Sequence, residues 1–255
     1  MTRLLHSTRD AQLAVGLLVV LLATWELLAR LGVLTPETAP APSVIASAGS
    51  DLVAGGLFFD VRITLTYVLV AFVLALVLGV GLGLLLSSWP LVAQVSVGFL
   101  TFLLSVPKSL FLPLFILVIG IGGDQKIAFG AFSSFAVIVM ATMVGIASVD
   151  PNLVAMARSQ GARRREVFSK IYLRSMMPTL LEAARIAMIL NITGVLIAEM
   201  YVSRQGLGYL VNLYGQTFQV APLLAVIAVI TVIGIALNEL LRWCERRQDR
   251  WREGT

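Results

Sequence analysis

Six apolar runs leave this 255-residue chain few folds to choose from. They cover residues 14–34, 63–86, 91–121, 127–148, 179–201 and 222–243. A bilayer's hydrocarbon core takes about 20 helical residues to cross. Within it every backbone polar group needs an internal partner, so apolar runs of this length read as helices. Composition agrees, with 58% hydrophobic and 13% charged residues and a mean hydropathy of +0.93. A soluble domain is about a quarter charged. The expectation is an all-α, polytopic membrane protein with about six spans, one transmembrane domain over residues 1–255.

The runs differ in detail. Trp25, Glu26 and Arg30 interrupt the outer part of the first, which is longer than the roughly 7–15-residue apolar core of a signal peptide. A retained helix is expected there. Residues 35–62 read as an external connection with one short helix near 43–53. Gly79, Gly81 and Gly83 favour close packing of the second span. Residues 87–90 form a tight turn. Pro107 and Pro113 predict a kink or break in the third run, and residues 122–126 a short loop. The last two spans flank an external loop with Gly206, Gly208 and Gly215.

One long stretch, residues 150–178, is polar. It holds Arg158, Arg163, Arg164, Arg165, Lys170 and Arg174 against Asp150 and Glu166. Leu153, Ala157, Ala162, Val167, Phe168 and Ile171 recur at helical spacings, so it reads as a structured element outside the membrane. With both termini inside, Arg3 and Arg9, these six residues and five tail arginines put 13 of the 19 Lys and Arg in the cytoplasm. The positive-inside rule therefore predicts cytoplasmic N- and C-termini, and the net charge of +5 marks topology rather than nucleic-acid binding.

Several chemistries lack raw material. No G-x-x-x-x-G-K-[ST] phosphate loop is present. His6 and Cys244 are the single histidine and cysteine. The chain is expected to carry no catalytic residue, cofactor or metal.

Gly161, nine residues, then Ile171-Tyr172-Leu173 resembles the cytoplasmic-loop signature of bacterial ABC importer permeases: E-A-A, three residues, Gly, nine residues, Ile-x-Leu-Pro. Ala157 matches the second alanine. Ala155, Met156 and Arg174 depart from the Glu, the first Ala and the Pro. A literal Glu182-Ala183-Ala184 has Met188 at its glycine position and is a coincidence. Trp25-Glu26-Leu27-Leu28, Pro40-Ala41-Pro42-Ser43, Gly120-Ile121-Gly122, Arg185, Glu199 and Gly206-Leu207-Gly208 are similar to the nitrate/sulfonate/taurine-type permeases.

The resemblance implies a type I ABC importer-like permease fold in a bacterial inner membrane. It also implies a second copy of the chain, two ATP-binding cassette subunits that carry ATP and Mg, and an extracytoplasmic solute-binding protein. In that family the loop is a coupling helix docked on the ATPase. Here Leu153, Met156 and Ala157 would supply an apolar contact, Gly161 and Ala162 the turn, and Arg158, Arg163, Arg164 and Arg165 a polar rim. The arginines have a second reading, as topology markers or contacts to anionic headgroups. The solute implied is a small anion such as a sulfonate, taurine, nitrate or bicarbonate. An ion-coupled carrier and a membrane scaffold are the alternative classes.

Polar groups inside the spans are the candidate pathway residues, since a central charge costs about 2.5–3.5 kcal/mol on insertion scales. Lys108, flanked by Ser105 and Ser109, either attracts an anion where the third span breaks or snorkels from a span end. Asn191 and Thr193 either face a pathway or bond between helices. Glu199 either helps form an external gate or serves structurally, as a cap or a partner of Arg204.

Overall fold

The computed structural model describes residues 8–249, and all regular structure among them is helical. In order come α1 (Thr8–Arg30), α2 (Pro42–Ala54), α3 (Leu57–Ser87), α4 (Pro90–Ser105), a 3-10 turn (Lys108–Phe111) and α5 (Leu112–Ile119). α6 (Gly123–Ala147), α7 (Pro151–Ser159), α8 (Arg164–Val167), a π-helical turn (Phe168–Tyr172), α9 (Leu173–Val202), α10 (Leu207–Gln216) and α11 (Val220–Asp249) follow. Among the described residues five helical segments are long and apolar enough to cross a membrane, and six if the pair bent by 91° at residues 106–107 is one span. Arg3, His6, Arg250 and Arg252 lie outside the described residues.

α6 is the centre of the molecule, packed between α3 and α9. A lipid tail is as apolar as leucine, so helices associate here through close packing of small residues. Gly79 and Gly83 of α3 lie against Ile138 and Thr142 of α6, both fully buried. A methyl group on Gly79 would come within 2.8 Å of Ile138. Gly145 of α6 admits Met176 of α9 in the same way, and a carbon added to it would come within 2.7 Å of the Met176 side chain. Gly81 meets open space instead, because two residues along a helix turn it to the far side.

The expected element limits need four corrections. α3 starts at Leu57, not 63, entered through Gly56 at φ +97°. Asp60 and Arg62 therefore belong to a helix that overruns the apolar layer rather than to a connection. The expected loop at 122–126 is largely helical, since α6 starts at Gly123. Lys126, 3% exposed, is tolerated there because its ammonium donates to Ile121 O (3.1 Å) and Gly122 O (3.2 Å). The helix of the fifth span starts before residue 179, since α9 runs from Leu173 with Pro178 inside it. The external loop between the last two spans contains a helix, α10.

α1 is tied to the rest through α2. Glu26 accepts from the Ser43 N–H (3.0 Å) and hydroxyl (2.8 Å), capping the first turn of α2, and receives Arg30 at 2.6 Å. A carboxylate in an apolar run thus meets the free amides of a helix N-terminus.

Candidate functional sites: a coupling segment and intramembrane polar clusters

The segment after α6 begins with a cap. Asp150 Oδ1 accepts from Asn152 N–H (2.8 Å), and Pro151 occupies the first helical turn of α7, where its missing N–H costs nothing. Val154 is buried with Val149 and Val167, against which Ala157, Ala162, Ile171 and Tyr172 pack. The opposite side of α7 is left open, with Leu153 46% and Met156 56% exposed.

α7 ends in a Schellman turn. Ala162 N–H donates to Ala157 O and Gly161 N–H to Arg158 O, each at 3.0 Å. Gly161 takes φ +82°, which is why glycine belongs there. Glu166 then accepts from Arg163 N–H (2.9 Å), restarting the chain as α8. Arg158, Arg163, Arg164 and Arg165 are all exposed. Leu153, Met156, Arg158, Gly161, Arg163 and Arg164 thus lie on α7, its closing turn and the first residue of α8, where the next candidate span begins, while Ala157 and Ala162 are turned partly inward to hold the segment. With Arg174 where the signature carries proline, helical structure continues from the π turn into α9.

The break in the third span has an internal cause. Val106 is extended (φ −80°, ψ 130°), as the residue before a proline must be. This frees the last carbonyls of α4 in an apolar layer. Lys108 Nζ folds back and donates to Leu103 O (2.6 Å), Val106 O (3.1 Å) and Leu104 O (3.3 Å). Its three donors meet three acceptors at the negative end of a helix. Both sequence readings of Lys108 omit this cap. Ser105 donates back to Thr101 O at 2.9 Å, and Ser109 is exposed. Replacing Lys108 by methionine keeps the bulk and removes the cap. It should lower thermal stability in detergent by about 1–3 kcal/mol. A melting temperature equal to the parent's would show that the bend holds without the ammonium.

Asn191 is fully buried and donates to Val68 O (2.7 Å), joining α9 to α3. Thr193 is exposed, and its hydroxyl is spent on Ile189 O of its own helix (2.9 Å). Arg185 links α9 to α11 through Asn238 (3.3 Å) and Glu245 (3.2 Å).

At the end of α9 opposite α7, Glu199 is fully buried and its carboxylate is hydrogen-bonded to groups other than Arg204, with which it forms no ion pair. Both its oxygens accept from the Thr64 hydroxyl (2.9 Å each), and one accepts from Gly208 N–H (2.8 Å). Thr64 Oγ1 in turn accepts from Leu207 N–H (2.8 Å), and Asp60 accepts from Gly206 N–H (2.6 Å). Three successive amides at the start of α10 are thereby held by α3 and α9. Gly206 takes φ +101°, and a side chain on it would strike the Glu199 carboxylate at 2.5 Å. Gly208 lies as tightly against Leu196 O and Glu199. The Gly-Leu-Gly triplet is a site of close backbone approach.

Sequence reasoning passed over Glu26, Asp60, Thr64 and Lys126. The Trp-Glu-Leu-Leu and Pro-Ala-Pro-Ser pieces were a usable signal, for Glu26 and Ser43 are bonded to each other. Nothing in the sequence pairs Thr64 with Glu199, 135 residues apart.

Among the described residues the chain is thus a bundle of long apolar helices with one broken pair and a short capped helix after α6. Residues 75–250 match the family described as "Binding-protein-dependent transport system inner membrane component", and the chain belongs to that family. It is the multi-pass inner-membrane permease component of an ABC importer. It is 28% identical over 96% of its length to the taurine transport system permease protein TauC of Escherichia coli (strain K12), covering 91% of that protein. It is 29% identical over 93% of its length to the putative aliphatic sulfonates transport permease protein SsuC of Bacillus subtilis (strain 168), covering 87% of it. Identity to the formylaminopyrimidine transport permease protein ThiX of Halalkalibacterium halodurans is 26%, over 92% of this chain and 94% of that one. Among solved structures, the MetNI methionine ABC transporter in inward facing conformations shares the fold at a TM-score of 0.61 and 23% identity. That match covers 76% of this chain and 94% of the other.

Proposed function

We propose that two copies of this permease form one pore for a small anionic solute of the sulfonate or taurine class. In this reading two ATPase subunits dock on α7 and its flanking turn, and a solute-binding protein delivers solute at the opposite end. The observation that carries the reading is the exposed Leu153–Met156 face on a short helix braced by Val154 and stopped by Gly161. A chain without a phosphate loop needs such a face to receive work from a nucleotide-binding partner. ATP-driven closure of the ATPase pair would move the two segments together and switch the pore outward, and hydrolysis would return it.

The similarity to taurine and aliphatic sulfonate permeases supports the solute class. Ser105, Ser109 and Thr193, which are exposed, are the proposed pathway side chains, with Lys108 at the bend lending positive potential next to Ser105 and Ser109. Asn191 and Glu199, being buried, brace the helices around the path. In proteoliposomes containing permease, ATPase and binding protein, labelled taurine should enter in an ATP-dependent way and compete with alkanesulfonates. Uptake confined to an uncharged pyrimidine, without competition by sulfonates, would overturn the solute class.

A further inference from the structure

Phe218 is the only described residue other than glycine with a positive φ, +55°. It stands in the turn from α10 to α11. α10 ends in the same pattern as α7, with Gln219 N–H donating to Tyr214 O (2.9 Å) and Phe218 N–H to Gly215 O (3.3 Å). That pattern favours glycine at its left-handed position, where a side chain is strained. Gly161 supplies the glycine in α7, whereas α10 carries a phenylalanine.

Burial does not compensate the strain. The Phe218 side chain is 87% exposed, more than any other large apolar side chain among the described residues. Its neighbour Gln219 lines a surface hollow where α2, α3, α10 and α11 converge, together with Tyr214, Asp51 and Asp60. Asp51 is exposed, and Asp60 also holds the first amide of α10. A strained residue kept where its own molecule gains nothing from it points to a function in contact with another. The hollow lies at the Glu199 end of α9, and the 30 residues of that helix separate it by about 45 Å from the ATPase-docking end.

We infer that Phe218 and the adjoining acidic hollow form the seat for the solute-binding protein, whose matching surface is an apolar socket flanked by lysine or arginine. The inference rests on the importer reading above. The family is binding-protein-dependent by description, so this chain needs such a surface. Exposed aromatic anchors dominate protein interfaces. The two aspartates favour a basic protein rim and disfavour anionic lipid headgroups, the other surface an exposed ring could enter.

The test uses the assembled permease–ATPase complex in nanodiscs and the transporter's own solute-binding protein, purified. Phe218→Gly removes the ring and relieves the backbone, so its melting temperature should not fall. The binding-protein concentration that half-saturates ATPase stimulation should rise about tenfold, and Phe218→Trp should restore most of the response. Asp51→Lys should raise the same concentration. If Phe218→Gly responds like the parent while both hold the ATPase, the seat is overturned and the importer reading stands. If the parent itself retains no ATPase, both fall together.

Discussion

Replacing Leu153 and Met156 together by aspartate is expected to leave the permease folded and to abolish its hold on the ATPase subunits. Both side chains are about half exposed, so the free protein loses little packing. In a docked complex the same positions would be buried, and each charge would be stranded in an apolar contact. Two hot-spot losses of about 2 kcal/mol each amount to roughly a thousandfold in affinity. Co-purification from a strain expressing both subunits measures it directly, with ATP-driven uptake as the second readout. Val154→Asp serves as the contrast, because Val154 is 8% exposed and braces the segment from within. That variant should lose the local structure as well as the partner. Retention of the ATPase by the Leu153/Met156 double variant would remove α7 from the docking surface.

The second large effect is expected at Glu199. Glu199→Ala deletes the acceptor for the Gly208 amide and the Thr64 hydroxyl, both buried with it. Leaving such donors unpaired costs about 1–3 kcal/mol each. The variant should melt well below the parent in detergent, and α10 should lose amide protection in hydrogen exchange before α6 does. Glu199→Gln keeps one acceptor oxygen and should recover part of the loss. An alanine variant that melts like the parent, with α10 still protected, would show that α10 is held by packing alone. An ion pair with Arg204, one of the roles the sequence left open, would instead make Arg204→Ala as damaging as Glu199→Ala.

Much of the segment after α6 was legible in the sequence because it is local. The helical spacing and the turn glycine at Gly161 are read along the chain, and the cap at Asp150 and the restart at Arg164 that the structure adds lie within the same fifteen positions. The same locality made the break at Pro107 readable, since proline constrains its own φ and its predecessor's ψ. What Lys108 does with the break was not readable. A lysine between two prolines is compatible with a snorkelling end, an anion site or a cap. Only the path of the chain brings Leu103, Leu104 and Val106 carbonyls within reach of its ammonium.

Lys126 shows the same limit from the other direction. Its charge argued for a loop, and the structure keeps it in a buried helical turn because two carbonyls of the preceding residues accept its protons. Charge predicts exposure only where no partner exists.

By itself the sequence determined the helical, many-span character of the chain, the break in the third apolar run, the basic segment after the fourth run and the family. These follow from hydropathy, proline geometry and charge bias, which act along the chain. The tertiary structure alone decided which faces of the spans meet and which polar groups pair. In a span that is apolar on every side, periodicity does not single out the packed face. Gly79 and Gly83 meet α6 while Gly81 does not, and Thr64 finds Glu199, only once three helices are in place.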